Sequence, residues 1–465
     1  MTHSLDPHRV GVFQAASATY DRASVEDGVA SVLLLSGLET EADGERGQLA
    51  SLISPGDTVL LKPNMIRQSH LLNDDWDYVI THGEVIRAVA LLAAKALCGR
   101  GRLVISDGPQ TDSDFDAVAQ LEGLERIGAE VHDRFGVTVE VLDLREERWI
   151  ERDGVTVERQ ALPGDPAGYV EFDLGADSYF TERGEGQRYY GADYDSAATQ
   201  ARHTAGRHVY RLAATPIRAD VFINLPKMKT HKKTGVTLSL KNLVGIHGNR
   251  NYLPHHTMGT PAQGGDESPD GGQGRVQSIL AVGFRRMLVR GGGTGGVLSR
   301  FAKRIGYRVL GSTEAVIRSG NWYGNDTTWR MVLDLNRVLL YGRPDGTLSD
   351  STGKRYLTIV DGIIAGEGNG PMAPDPVSAG LLVAGFNPVA VDTVCTAIMG
   401  FDPSRLPMIA RAWESGHMPL VDFSQDKVEV VSNSEQWAGS LEDLLRAPHL
   451  GFRAHFGWVG HIERG

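Results

Sequence analysis

An α/β fold, built from mainly parallel, doubly wound sheets in two α/β lobes with an irregular insertion, is what this chain of 465 residues predicts. Three observations carry the expectation. The first third alternates short β-branched runs with helical patterns, and the last third returns to the same alternation. Four of the apolar runs also stop at a lysine, aspartate or asparagine beside a proline or glycine. Strands alternating with crossover helices imply a parallel sheet covered on both faces.

In the N-terminal lobe, residues 1–145, strands are expected at Arg9 to Phe13, Asp57 to Leu61, Arg102 to Ser106 and Thr138 to Leu142, with helices over 24 to 37, 83 to 98 and 115 to 127. Thr81-His-Gly-Glu84 fits a capping box in which Thr81 and Glu84 close the second helix and His82 stands outside the cap. Residues 146–215 dissolve into acidic and aromatic stretches, such as Tyr179-Phe180 and Tyr189-Tyr190, and read as an irregular or antiparallel insertion, a candidate lid whose position over a site the sequence does not give. A lysine-rich segment occupies 216–258, opening on the buried strand Ala219 to Asn224. Residues 259–330 combine Gly-rich loops with basic amphipathic patterns at 275 to 289 and 297 to 317. The C-terminal lobe, 331–465, carries strands at Tyr356 to Val360, Gly380 to Ala384 and Lys427 to Val431, with helices over Pro388 to Met399 and 404 to 415. This half packs its own sheet or extends the first.

Composition narrows the functional classes. The formal net charge of -11 disfavours nucleic acid, whose phosphates need a basic face. Two cysteines without a C-x-x-C pair leave nothing to hold an iron–sulfur cluster, and the expectation is no such cluster. No secretory leader and no membrane-length apolar run are evident, so a cytoplasmic protein is expected. A local excess of arginines over 285 to 318 reads as a solvated helix face or, more sharply, as a peripheral contact with anionic membrane.

The chemistry is concentrated where strands end. Leu61 runs into Lys62-Pro63-Asn64, Ser106 into Asp107-Gly108, Asn224 into Pro226-Lys227, and Val360 into Asp361-Gly362. In open parallel sheets, ligands bind outside the carboxyl ends of strands. Five of the ten lysines lie between Lys227 and Lys241, although arginine supplies the other 37 of the 47 basic residues. An ammonium is a compact charge whose pKa moves on burial, which suits anion capture or proton transfer. Lys62, Asn64, Asn224, Thr237, Lys241 and Asn242 are therefore expected to bind substrate, and Lys227, Lys229, His231 and His82 to act in acid–base steps. Lys232 and Lys233 are expected in solvent. Asp107, Asp361 and Asp392 form a candidate set for Mg²⁺ bridging to substrate phosphates. His231, His247, His255 and His256 do not have the spacing of a recognised zinc site.

These motifs resemble the uncharacterised family numbered 362 among domains of unknown function. The resemblance runs through Leu61-Lys-Pro-Asn64, Thr81-His82, Ala219 to His231, Gly235 to Gly245, Asp361-Gly362 and Pro388 to Gly400, and spans most of residues 55 to 415. It implies no reaction. Many members carry ferredoxin-like cysteine motifs, which this chain lacks. The stretch Gly320 to Arg330 resembles a variant in a subset of the family and adds Asn325 and Asp326 as candidate site residues. The leading expectation is an enzyme on a small anionic substrate, phosphorylated or carboxylated, or a glycan precursor. The alternatives are a metal- or cofactor-dependent racemase or redox enzyme with histidine ligands, by distant likeness to nickel-dependent lactate racemases, and a non-catalytic protein that docks on a membrane or assembly.

Overall fold

The computed structural model describes residues 5–38, 45–152, 155–184, 186–191, 196–270 and 317–465. Among these residues, twelve strands join one mixed sheet. Its main path runs Gly439–Ser440, Glu429–Ser432, Arg9–Gln14, Leu381–Gly385, Arg355–Asn369, Val221–Leu225, Thr58–Pro63, Arg102–Asp107 and Val139–Asp143. The last five strands pair in parallel throughout. Leu381–Gly385 runs antiparallel to both neighbours. The fold is α/β as expected. The C-terminal strands extend the sheet of the first lobe, the second of the two arrangements that the sequence left open.

Alternation along the strands builds two cores. Val59, Leu61, Leu103, Ile105, Val221 and Ile223 pack on one face with helices Arg22–Leu35, Gly83–Leu97 and Leu124–Phe135. Leu60, Val104, Phe222 and Tyr356 face the other way, against helices Thr328–Tyr341 and Pro388–Met399. Side chains buried on both faces are what a parallel sheet under crossover helices requires.

Several boundaries differ from the expectation for identifiable reasons. The single helix over 115 to 127 is two, Phe115–Glu122 and Leu124–Phe135, because Gly123 adopts φ +69° and ends the first. The helix expected over 404 to 415 is three short turns, with Pro403 and Pro407 each opening one. The strand expected at Tyr356 to Val360 continues to Asn369, and beyond Asp361 it pairs with Lys227–His231 and Ala373–Val377. The insertion is antiparallel where described: a hairpin of Glu147–Arg152 with Val155–Ala161, and a small sheet of Tyr169–Asp173, Arg207–Ala213 and His203–Thr204. Its Tyr189–Gly191 strand pairs with Pro254–Thr257 and so abuts the lysine-rich segment. The basic patterns at 275 to 289 and 297 to 317 lie outside the described residues, apart from residue 317.

Candidate functional site

Parallel register brings the expected strand ends side by side. Asn224 lies opposite Lys62, and Lys227 opposite Asp361. Two of the lysines meet carboxylates there. Lys62 Nζ is 2.7 Å from Asp107 Oδ1 and donates to Pro63 O. Asp107 in turn accepts from the backbone N–H groups of Met65 and Gly108. Gly245 covers this pair so closely that a Cβ there would lie 1.7 Å from Asp107 Oδ1. Burial lowers the Lys62 pKa and the Asp107 charge opposes that shift.

Lys227 is fully buried with Asp361, at 2.9 Å, and donates to the Tyr20 hydroxyl at 2.6 Å. Asp361 is saturated, because it also accepts from Tyr20 and from the His82 backbone N–H. The imidazole of His82 lies between Tyr20, at 3.7 Å between ring centroids, and Trp76, at 5.1 Å. His82 corrects the expected capping box. Its Nδ1 accepts from Glu84 N–H and caps the helix, whereas Thr81 Oγ1 bonds Leu225 O and Asn64 N–H across the sheet. Burial pushes the His82 pKa down to about 4.

The expected amides form a bracing chain. Asn242 Nδ2 donates to Lys62 O and Asn224 Oδ1, and its Oδ1 accepts from Asn64. Asn224 Nδ2 donates to Ser239 O. These groups tie the Leu238–Asn242 helix to the sheet edge and are occupied by one another. Asn325 likewise caps the Thr328–Tyr341 helix and holds the carbonyls of Gly320 and His255. Asp326 lies half exposed against Arg330.

The candidate metal ligands do not converge. Asp107 and Asp361 serve separate lysines, and Asp392 accepts from the backbone N–H groups of Ser239 and Leu240. Among the described residues no group of three His, Cys, Asp or Glu side chains is arranged to hold a metal ion. Burial raises the Asp392 pKa to about 7.

A different electrostatic state prevails at the far end of the lysine segment. Lys229 Nζ is fully buried and meets only neutral oxygens, donating to Val79 O, Pro371 O and Asn64 Oδ1. Lys241 is 8% exposed and makes no ion pair or hydrogen bond through Nζ among the described residues. Burial lowers its pKa to about 7, and Arg250, Lys233, Lys62 and Lys232 push in the same direction. His231 is buried and feels Lys241, Lys232, Lys229 and His255, all of which disfavour its protonation. The Thr237 hydroxyl, one turn before Lys241, is buried without a partner. Lys233 corrects the expectation of a solvent lysine, since it is buried and donates to His255 O and Ser319 O. Arg250 was missed as a member of this cluster, and His255 was read only among the histidines that follow the lysine run, without a place beside Lys241.

A mixed α/β sheet with buried lysines gathered at the carboxyl ends of its strands defines the class of protein. Residues 177–397 match the family model described as a domain of unknown function, DUF362. It is also similar to the thylakoid-associated protein sll1697 of Synechocystis sp., with 25% identity over 374 residues that cover 80% of this chain and 72% of the relative. No solved structure matches significantly.

Proposed function

We propose that the protein binds a small anionic molecule, phosphorylated or carboxylated, beside Lys241, and acts on it through histidine acid–base chemistry. One observation carries this reading: a buried ammonium whose strongest electrostatic neighbours are four cations. A buried charge is costly unless paired. Lys62 and Lys227 obey that rule through Asp107 and Asp361, whereas Lys241 has no counter-charge among the described residues. A bound anion would supply it, in a site shielded enough for each contact to be worth more than in water. The paired lysines then serve as scaffold, so the anion role moves from Lys62 and Lys227 to Lys241.

Thermal unfolding with a panel of small anions tests this, because a ligand that binds only the native state raises the transition in proportion to the logarithm of its concentration. Phosphate esters or carboxylates are expected to raise the midpoint of the native protein and to leave Lys241→Gln unmoved. Equal shifts in both proteins would reject the site.

A second reading draws on the relative's thylakoid association. No helix among the described residues is long and apolar enough to cross a membrane, and the association read here is a peripheral one. Flotation with anionic liposomes checks it, with binding expected to weaken as salt rises.

A further inference from the structure

We propose that the site beside Lys241 takes a phosphoryl group together with one proton, held between the ligand and His255 Nε2. This rests on the anion reading above and assigns its ligand class and its proton carrier.

The argument begins with which ring nitrogen bears hydrogen. A backbone carbonyl can only accept, so the 2.9 Å contact of His255 Nδ1 with Leu253 O fixes the proton on Nδ1 and leaves a lone pair on Nε2. His231 is the reverse. Its Nδ1 accepts from Lys233 N–H at 3.1 Å, so its neutral ring carries hydrogen on Nε2 and can donate there but not accept. His82 is fixed in that same donor form by Glu84 N–H. Of the three, His255 alone offers a base.

Its ring is also well placed. The His255 carbonyl accepts from Lys233 Nζ at 3.2 Å, Asn325 Nδ2 at 3.1 Å and Thr328 Oγ1 at 2.7 Å, which fixes the backbone at that position. The side chain is half-buried and Nε2 has no partner among the described residues. The charged groups that face it come from three directions: Lys233 from the turn after Lys227–His231, Lys241 from the Leu238–Asn242 helix, and Arg250 from the turn before Pro254–Thr257. His231 adds a titratable neighbour from the strand itself. The acid in this neighbourhood, Asp266, is engaged by the Thr257 backbone N–H and the Thr327 hydroxyl and lies 3.5 Å from Arg183.

In the free protein, burial and, after it, those cations keep the His255 ring neutral. An incoming dianion reverses the field and favours the imidazolium. A flat carboxylate is best met by a guanidinium fork, whereas separate point donors such as ammonium, hydroxyl and imidazole N–H suit the three oxygens of a phosphoryl group. Above about pH 6 a free phosphate monoester is a dianion. The proton shared between ligand and His255 must then come from solvent, in addition to the one that recharges Lys241, whichever oxygen or nitrogen it sits on.

The test is isothermal titration of glycerol 3-phosphate at pH 8 in buffers of different ionisation heat. Uptake of close to two protons per ligand is expected, one by Lys241, which its pKa of about 7 leaves mostly neutral at this pH, and one by His255, with affinity falling as pH rises further. His255→Asn keeps a donor toward Leu253 O but has no base, so it should bind about tenfold more weakly and take up one proton fewer. In the wild-type protein labelled with nitrogen-15, the Nε2 signal of His255 should move from the lone-pair to the protonated range on saturation, a readout that does not depend on a variant folding. Uptake that His255→Asn leaves unchanged, or an unmoved Nε2 signal, overturns the inference and leaves the anion reading standing. Failure of glycerol 3-phosphate to bind at all, or equal binding by Lys241→Gln, overturns both. Proton-linked binding to phosphatidic acid vesicles with none to glycerol 3-phosphate would place the phosphoryl group on a lipid and overturn the small-molecule form.

Discussion

Lys62 and Lys227 on one side, and Lys229 and Lys241 on the other, are the same residue at similar depth in one sheet edge, yet they stand in opposite electrostatic states. The first two are buried against carboxylates that are themselves held by backbone N–H groups. The second two meet neutral oxygens or other cations. Burial alone therefore does not distinguish a lysine that holds the fold from one that awaits a ligand. The counter-charge does.

The comparison breaks most directly at the paired side. Asp361→Ala leaves Lys227 buried without compensation and removes the acceptor for Tyr20 and His82 N–H, so a loss of about 3–5 kcal/mol is expected in urea unfolding. Gly245→Ala should be of similar size, because its Cβ would enter the Lys62 and Asp107 pair. Losses under about 1 kcal/mol in both would mean that the pairs are incidental.

On the unpaired side the sign reverses. Lys241→Met keeps the side-chain volume and removes an uncompensated charge, so the free protein should gain about 2 kcal/mol at pH 7. A clear loss would show that the ammonium has a structural partner. The pH dependence sharpens this. The folded-state pKa of Lys241, about 7, lies below its unfolded value, so between the two the unfolded chain binds more protons and wild-type stability rises with pH. The advantage of Lys241→Met should accordingly shrink toward zero from pH 7 to 9, at no more than about 1.4 kcal/mol per pH unit, read from urea midpoints. The smallest effect is expected for Asn64→Ala. It removes one acceptor of Lys229 and one link to Asn242, for about 1 kcal/mol by the same measurement.

Much of this frame is legible in the chain. Apolar runs stopping at Lys62, Asp107, Asn224 and Asp361 give the strand ends, because a buried parallel strand must be apolar until it leaves the sheet. What the sequence hides is partnership across distance. Nothing local tells that Asp107 belongs to Lys62 or Asp361 to Lys227, since sheet register sets those pairs. Three aspartates at strand and helix ends therefore read as a metal set, when each in fact compensates a charge or caps a helix. The histidines mislead for a related reason. The roles of His82, His231 and His255 depend on which backbone group their Nδ1 meets, and that is set by turn geometry. Lys233 read as a solvent residue because charge clusters are usually exposed, yet its Nζ holds two carbonyls of the loops that follow.

The central claim is that compensation separates scaffold from site, and one titration addresses it directly. Glycerol 3-phosphate should bind wild-type protein and a Lys62→Met, Asp107→Leu double variant with similar affinity, because that change removes two opposite charges together, whereas Lys241→Met should lose binding by at least tenfold. Loss of affinity in the double variant with Lys241→Met unaffected would contradict the account.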